Sequence, residues 1–308
     1  MPLLIVIGGI FLLFLLIARF KLNAFIAFII VSLGVGLAEG MGLEDLVEAI
    51  ENGIGNTLGF LLIILGLGAM LGKLVADSGA AQRITSVLVR RFGRKNVQWA
   101  VVLTGFIVGI PMFYTVGFVI LVPLVFTVAA STRLPLLYVG VPMLASLSVT
   151  HGYLPPHPAP TAISEIFQAD LGKTLLYGIL IAIPAIIVAG PLLSRTFKNI
   201  PASPLAEFVN PRVLEEDEMP GIWISIITAL LPVVLIGTAT LSDLLLPEGH
   251  WIALALSFVG NPVIAMLLSV LVAIYTLGLS RGRTMKEVMS SVGQSVSGIT
   301  MVLLIIAG

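Results

Sequence analysis

Residues 150–161 read T-H-G-Y-L-P-P-H-P-A-P-T, and they hold two of the three histidines and four of the 18 prolines in the chain. A helix is not expected to run through Pro155, Pro156, Pro158 and Pro160, because each ring removes an N–H donor and clashes with the preceding turn. The residues ahead of the prolines are pushed toward extended backbone. The stretch is therefore read as a rigid, polar, non-helical segment between apolar runs. Inside a bilayer such backbone is tolerated only where protein buries it or water reaches it. It is either an exposed loop or the floor of a binding site, and its surroundings have to decide.

Those surroundings are overwhelmingly apolar. Of 308 residues, 58% are hydrophobic and only 10% charged, with a mean hydropathy of +1.13. A soluble domain carries roughly a quarter charged residues. Apolar runs fall at about 2–18, 23–38, 54–72, 97–131, 134–150, 172–194, 221–246, 262–279 and 296–308, and about 20 such residues cross a bilayer as a helix. The fold class is an all-α polytopic membrane protein. Zero net charge gives no support to a nucleic-acid partner. The absence of cysteine excludes disulfides and thiol chemistry. Residues 1–18 have no basic stretch ahead of them and no small-residue cleavage site before Arg19, so they read as an uncleaved first span.

Some runs are not simple helices. The 97–131 run is too long for one upright span and is interrupted by G-I-P-M-F-Y-T-V-G, where Gly109, Pro111 and Gly117 break or kink a helix. The 54–72 run carries Gly55, Gly59, Gly66, Gly68 and Gly72, which suits close helix packing or a re-entrant hairpin. Residues 197–220, with Glu215, Glu216, Asp217 and Glu218, read as an exposed acidic linker without a functional role.

An internal repeat emerges when 36–66 is laid on 278–308 without a gap. Gly36 meets Gly278, Gly40 meets Gly282, and Leu61–Ile64 meets Leu303–Ile306. The first copy carries Glu39, Glu44, Asp45, Glu48 and Glu51 where the second has Arg281, Arg283 and Lys286. By the positive-inside rule the equivalent loops lie on opposite sides of the membrane. Inverted repeats of this kind are a transporter architecture with the substrate near the midplane. Residues 1–196 are read as the first repeat, 197–220 as linker and 221–308 as the start of an incomplete second repeat. Arg19 and Lys21 mark the first short loop as cytoplasmic and place the N-terminus outside. The last run, about 13 residues, is short of a full span, so the chain is expected to be a fragment of a longer transporter.

Ser146, Ser148, Thr150, Thr161 and Ser164 flank or belong to the His–Pro stretch. Polar groups in lipid are costly and normally face a cavity or the bundle interior. Hydroxyls and imidazoles together suit a polyhydroxylated carboxylate. Helix N-termini at the 109–117 break or after Pro160 offer partial positive charge for an anion. Thr150, His151, His157, Thr161, Tyr114, Thr115 and Ser148 are the candidate substrate-binding residues. Pro155, Pro156, Pro158, Gly109, Pro111 and Gly117 are the candidate structural breaks. The bland reading is a rigid turn with hydrogen-bonded histidines. Lys73, Asp77, Arg83, Asp170 and Lys173 lie at span ends and read as structural. No metal site is expected from His151 and His157 alone, no cofactor is expected, and no G-x-S-x-G, H-E-x-x-H or ATP-binding motif marks an enzyme.

The runs at 65–84, 98–106, 135–143, 150–162 and 172–178 resemble the gluconate permease family, as do L-G-L-S-R-G-R-T-M (277–285) and M-V-L-L-I-I-A-G (301–308). The resemblance covers essentially the whole chain. It implies a proton-coupled sugar-acid symporter in the bacterial inner membrane, acting on a sugar-acid anion and protons and open to homo-oligomer formation. A further C-terminal portion follows the last run in the family, in line with a C-terminally truncated member. Family members are often acidic at the position of Thr115, so here the resemblance leaves coupling to His151, His157, another carboxylate or a different ion. The alternatives are a carrier for another small hydroxy acid and a non-transporting membrane remnant or scaffold.

Overall fold

The computed structural model describes residues 2–202, 214–247 and 250–308. Among them the regular structure is helical throughout, with no strand, and six helices are long and apolar enough to cross a membrane. The helices are α1 (Pro2–Ala18), α2 (Ala24–Ala38), α3 (Leu43–Asp77), α4 (Ala80–Phe92), α5 (Val97–Gly109), α6 (Tyr114–Thr132) and α7 (Leu136–Tyr153). They are followed by α8 (Pro158–Ile166), α9 (Leu171–Ile187), α10 (Ile222–Leu245), α11 (Trp251–Val259), α12 (Pro262–Ala273) and α13 (Met285–Ala307). The all-α, multi-pass membrane reading is thereby established. Residues 203–213 of the 197–220 linker lie outside the described residues.

The chain divides into two compact units, Met1–Ile63 with Gly298–Gly308, and Ile64–Ser297. In the first unit α2 ends at a left-handed glycine. Gly40 has φ +85°, its N–H donates to Leu37 O, and Met41 N–H donates back to Gly36 O at 3.0 Å. This is a Schellman cap, in which a residue without Cβ lets the chain reverse while the last carbonyls stay bonded. The second unit repeats it. Gly282 has φ +81°, its N–H donates to Leu279 O, and Arg283 N–H donates to Gly278 O at 3.3 Å. The side chain above each cap is equivalent as well, since a Cβ on Gly36 would strike Leu46 and one on Gly278 would strike Val288.

Two expectations about span length change. α3 is one continuous helix of 35 residues, with no re-entrant hairpin. At 1.5 Å per residue it is about 52 Å long, well beyond a bilayer's hydrocarbon thickness. Its glycines split in role: Gly55, Gly59 and Gly66 have open space where a Cβ would stand, whereas a Cβ on Gly72 would lie 2.5 Å from the Pro111 carbonyl oxygen. The final apolar run is the second half of the 23-residue α13, which starts at Met285 and is long enough to span. Its first turn is capped by Thr284 and Glu287, which bond each other's backbone N–H; that capping box supports a polar start the hydropathy reading did not count.

The second unit's core joins Leu71 and Leu74 of α3 with Val101 and Val108 of α5, Leu121 of α6, Met143 and Leu147 of α7, and Met266 of α12. α5 and α7 approach most closely through glycine. A Cβ on Gly105 would stand 2.5 Å from the Met143 carbonyl oxygen, and Ser146 Oγ crosses to donate to Val102 O at 2.8 Å. Gly105 and Gly109 thus form a Gly-x-x-x-Gly face, the small-residue contact that membrane helices use.

The acidic stretch 215–218 within the linker is exposed, as expected, but it is pinned rather than free. Arg83 Nε donates to Pro220 O at 3.0 Å and its Nη2 to Glu216 O, Arg90 pairs with Glu216 at 2.7 Å, and Arg281 Nη2 donates to Asp217 O at 2.6 Å. Basic segments 90–95 and 281–286 therefore share one end of this unit.

Candidate functional site

The site is built from two interrupted helices. α5 stops at Gly109 after 13 residues, about 20 Å, and the chain restarts as α6 at Tyr114 after Ile110-Pro111-Met112-Phe113. The expected break is present, with Pro111 inside it. Gly117 lies in the first turn of α6, where a Cβ would stand 2.8 Å from Leu147.

The second interruption is shorter than the sequence suggests. α7 continues through Thr150 and His151 to Tyr153, and α8 already begins at Pro158. Only 154–157 is non-helical, with a cis Pro155–Pro156 bond. Pro158 occupies the first position of α8 and Pro160 its first turn, where the backbone N–H groups have no helical partner to lose. The expected twelve-residue loop is therefore corrected to a four-residue break.

One side chain ties the two breaks together. The Gly109 carbonyl at the end of α5 has no helical partner, and His157 Nε2 lies 2.9 Å from it. A carbonyl oxygen only accepts, so His157 Nε2 carries a proton. The other nitrogen of that ring, Nδ1, is 3.1 Å from His151 Nδ1. His157 is 4% exposed, while His151 is half-buried. Phe113 packs edge-on to both rings, at centroid distances of 6.2 and 6.5 Å, and Tyr114 lies 6.3 Å from His151. Beside His157 is a cavity of about 10 Å³, bordered also by Leu71, Pro111, Pro156, Pro232 and Met266, which is room for about one water.

The other candidate residues fall into two sets. Tyr114 and Thr115 sit in the first turn of α6, half-buried and exposed respectively, and the Tyr114 ring lies beside His151. Thr150 is fully buried, and its hydroxyl donates to Leu147 O at 2.8 Å in its own helix, the usual use of a helical threonine. Thr161 is fully buried in α8 and its Oγ1 has no hydrogen-bond partner among the described residues. Ser148 is exposed, away from the dyad's hydrogen bonds. Asp170 caps α9 by accepting from Lys173 N–H at 2.7 Å, and Lys73 pairs with Asp77 at 2.8 Å. The Gly109 carbonyl is the candidate site atom that sequence reasoning missed, since Gly109 reads there only as a helix breaker. Among the described residues no cluster of three metal-ligating side chains occurs.

Across its whole length, residues 1–308, the chain matches the model of the GntP family permeases. The chain belongs to that family. Its relatives include the Gnt-II system L-idonate transporter of Escherichia coli K12, 52% identical over all of this chain and 70% of the relative. A high-affinity gluconate transporter of the same organism is 53% identical over the same shares, and the gluconate permease of Bacillus subtilis 168 is 47% identical over all of this chain and 71% of the relative. No solved structure matches. GntP family members are permeases, and this chain is a membrane transport protein rather than an enzyme.

Proposed function

We propose that this GntP family permease imports a six-carbon sugar acid, gluconate or idonate in type, together with protons across the bacterial inner membrane. The observation that carries the reading is the meeting of two broken helices at the His157–Gly109 hydrogen bond. The N-termini of α6 and α8 both open at these breaks, and unpaired N–H groups there favour an anion. Discontinuous helices aimed at a carboxylate are a recurring carrier device. Thr161 Oγ1, buried with no partner among the described residues, and the rings of His151 and Tyr114 add polar contacts of the kind a polyhydroxy chain uses. Thr115 and Ser148 complete the contact set, while Thr150 shapes the site through its packing on Gly109.

The same architecture supports alternating access. The two Schellman caps with their matching side chains are what an internal repeat leaves behind, and the opposite charge of the loops that follow them makes the repeat inverted. On that reading the basic segments 90–95 and 281–286 are cytoplasmic and the N-terminus is periplasmic. The cavity at His157 holds about one water, so substrate entry requires the two breaks to part.

Uptake of a panel of radiolabelled sugar acids into proteoliposomes, with and without an inward proton gradient, tests the proposal. Gluconate or idonate accumulation above protein-free vesicles, enhanced by the gradient, is expected. Uptake no greater than in protein-free vesicles for every acid would leave the scaffold reading in its place.

A further inference from the structure

Three hydrogen-bonding positions at the breaks fix the tautomers of both histidines. His157 Nε2 donates to the Gly109 carbonyl, 2.9 Å away. A neutral His157 then has a bare Nδ1, which can only accept. The nitrogen facing it at 3.1 Å is His151 Nδ1, so that atom carries the proton and donates. What remains is His151 Nε2, a bare lone pair with no hydrogen bond among the described residues, on the half-exposed ring of the pair.

We infer that His151 Nε2 is the atom that loads and unloads the coupling proton, and that His157 is the positioning residue that holds His151 in the tautomer able to do so. The inference rests on the proton-coupled carrier reading above and assigns its proton to one nitrogen. A proton arriving from water adds to the Nε2 lone pair and forms an imidazolium, whose Nδ1–H still donates to His157. Release returns the same proton to water on the other side, and no other bond is made or broken. With His151 held in its Nδ1–H tautomer, loading His157 instead would place two N–H groups against each other across 3.1 Å.

The neighbourhood leaves His151 as the group to titrate. α5 contains no titratable residue, and α6 presents Tyr114 with its ring 6.3 Å away. Glu165 on α8 is half-buried and bonds neither ring, Lys173 and Tyr177 on α9 are exposed, and Lys198 lies over Tyr138 at the opposite end of α7. A charged imidazole among apolar walls then gains most from the carboxylate of the substrate, because a charge-assisted contact is strong where water is scarce. Proton and acid load together, which is the requirement for symport.

The small number of histidines makes the test clean. In a His250→Asn background, where the helix-cap histidine is replaced by another capping residue, 15N-histidine NMR of the protein in bilayers reads only this pair. The expected spectrum shows Nε2–H on one ring and Nδ1–H on the other, and acidification converts the Nδ1–H ring alone to imidazolium. Two Nε2–H rings, or first protonation of the ring bonded to Gly109, would overturn the assignment. The transport arm separates this from the carrier reading. His151→Gln is expected to lose gradient-driven accumulation, and any uptake it retains is expected not to respond to the proton gradient. His157→Phe is expected to move the pH profile of uptake, and His157→Gln, whose amide both donates and accepts, to restore it. Retained gradient-driven accumulation in His151→Gln removes the proton role even if sugar acids are carried. A wild-type protein that carries no sugar acid defeats the carrier reading while the spectrum still decides the tautomers.

Discussion

His157 Nε2 donates to the carbonyl oxygen of Gly109 at 2.9 Å, across 48 residues of chain, and joins the ends of two broken helices. The bond satisfies one of the carbonyls that every helix leaves open at its C-terminus. Replacement by alanine leaves that carbonyl buried and unpaired, at a cost of about 1–3 kcal/mol. His157→Ala is expected to lower the thermal midpoint in detergent, and an unchanged midpoint would show that water replaces the bond.

Gly109 is also where α5 touches α7. A Cβ there would collide with Thr150 Oγ1 and stand 3.2 Å from Leu147 Cδ1, and overpacking of this kind costs about 1–3 kcal/mol. Gly109→Ala is expected to destabilise the protein, and Thr150→Ala to recover part of the loss by removing the struck atom. Additive destabilisation in the double-mutant cycle would rule out that contact as the cause.

Arg83 and Arg90 both hold the acidic strap, with unequal burial. The Arg83 side chain is 14% exposed and donates to two backbone carbonyls, whereas Arg90 and Glu216 are 59% and 65% exposed. Exposed pairs contribute under about 1 kcal/mol; hydrogen bonds from a charged donor contribute about 1.5–3 kcal/mol. Arg83→Ala should therefore open the 214–220 segment to limited proteolysis much more than Arg90→Ala. Equal cleavage in the two variants contradicts this ranking.

Gly40 and Gly282 make the same cap with φ of +85° and +81°. A side chain in the left-handed region costs about 1–2 kcal/mol, least for asparagine. Gly40→Ala and Gly282→Ala are each expected to lower thermal stability, with asparagine milder at both positions. A penalty at one glycine alone would break the equivalence of the two caps.

Much of this molecule is legible in its residues because the signals are local. Apolar length predicted the long spans, Pro111 predicted the end of α5, and the spacing of Gly36 and Gly40 against Gly278 and Gly282 pointed to an internal repeat. The errors arose where one residue type has two physical outcomes. Pro158 and Pro160 read as helix breakers, yet in the first turn of α8 they remove no hydrogen bond. The glycines of α3 read as a hairpin or a packing face, and most of them meet only open space on an unbroken helix.

By itself, then, the sequence determined that the chain is a bundle of membrane helices and where most of them begin and end, since hydropathy, proline rings and left-handed glycines act within a turn or two of the residue that carries them. Only the tertiary structure decided that the break after α5 and the break after α7 meet, that the meeting is made by His157 and a backbone carbonyl, and that His151 Nε2 has no hydrogen bond among the described residues. Which atom faces which across 48 residues depends on how closely α5 and α7 pack at Gly105 and Gly109. No local property of either helix carries that distance.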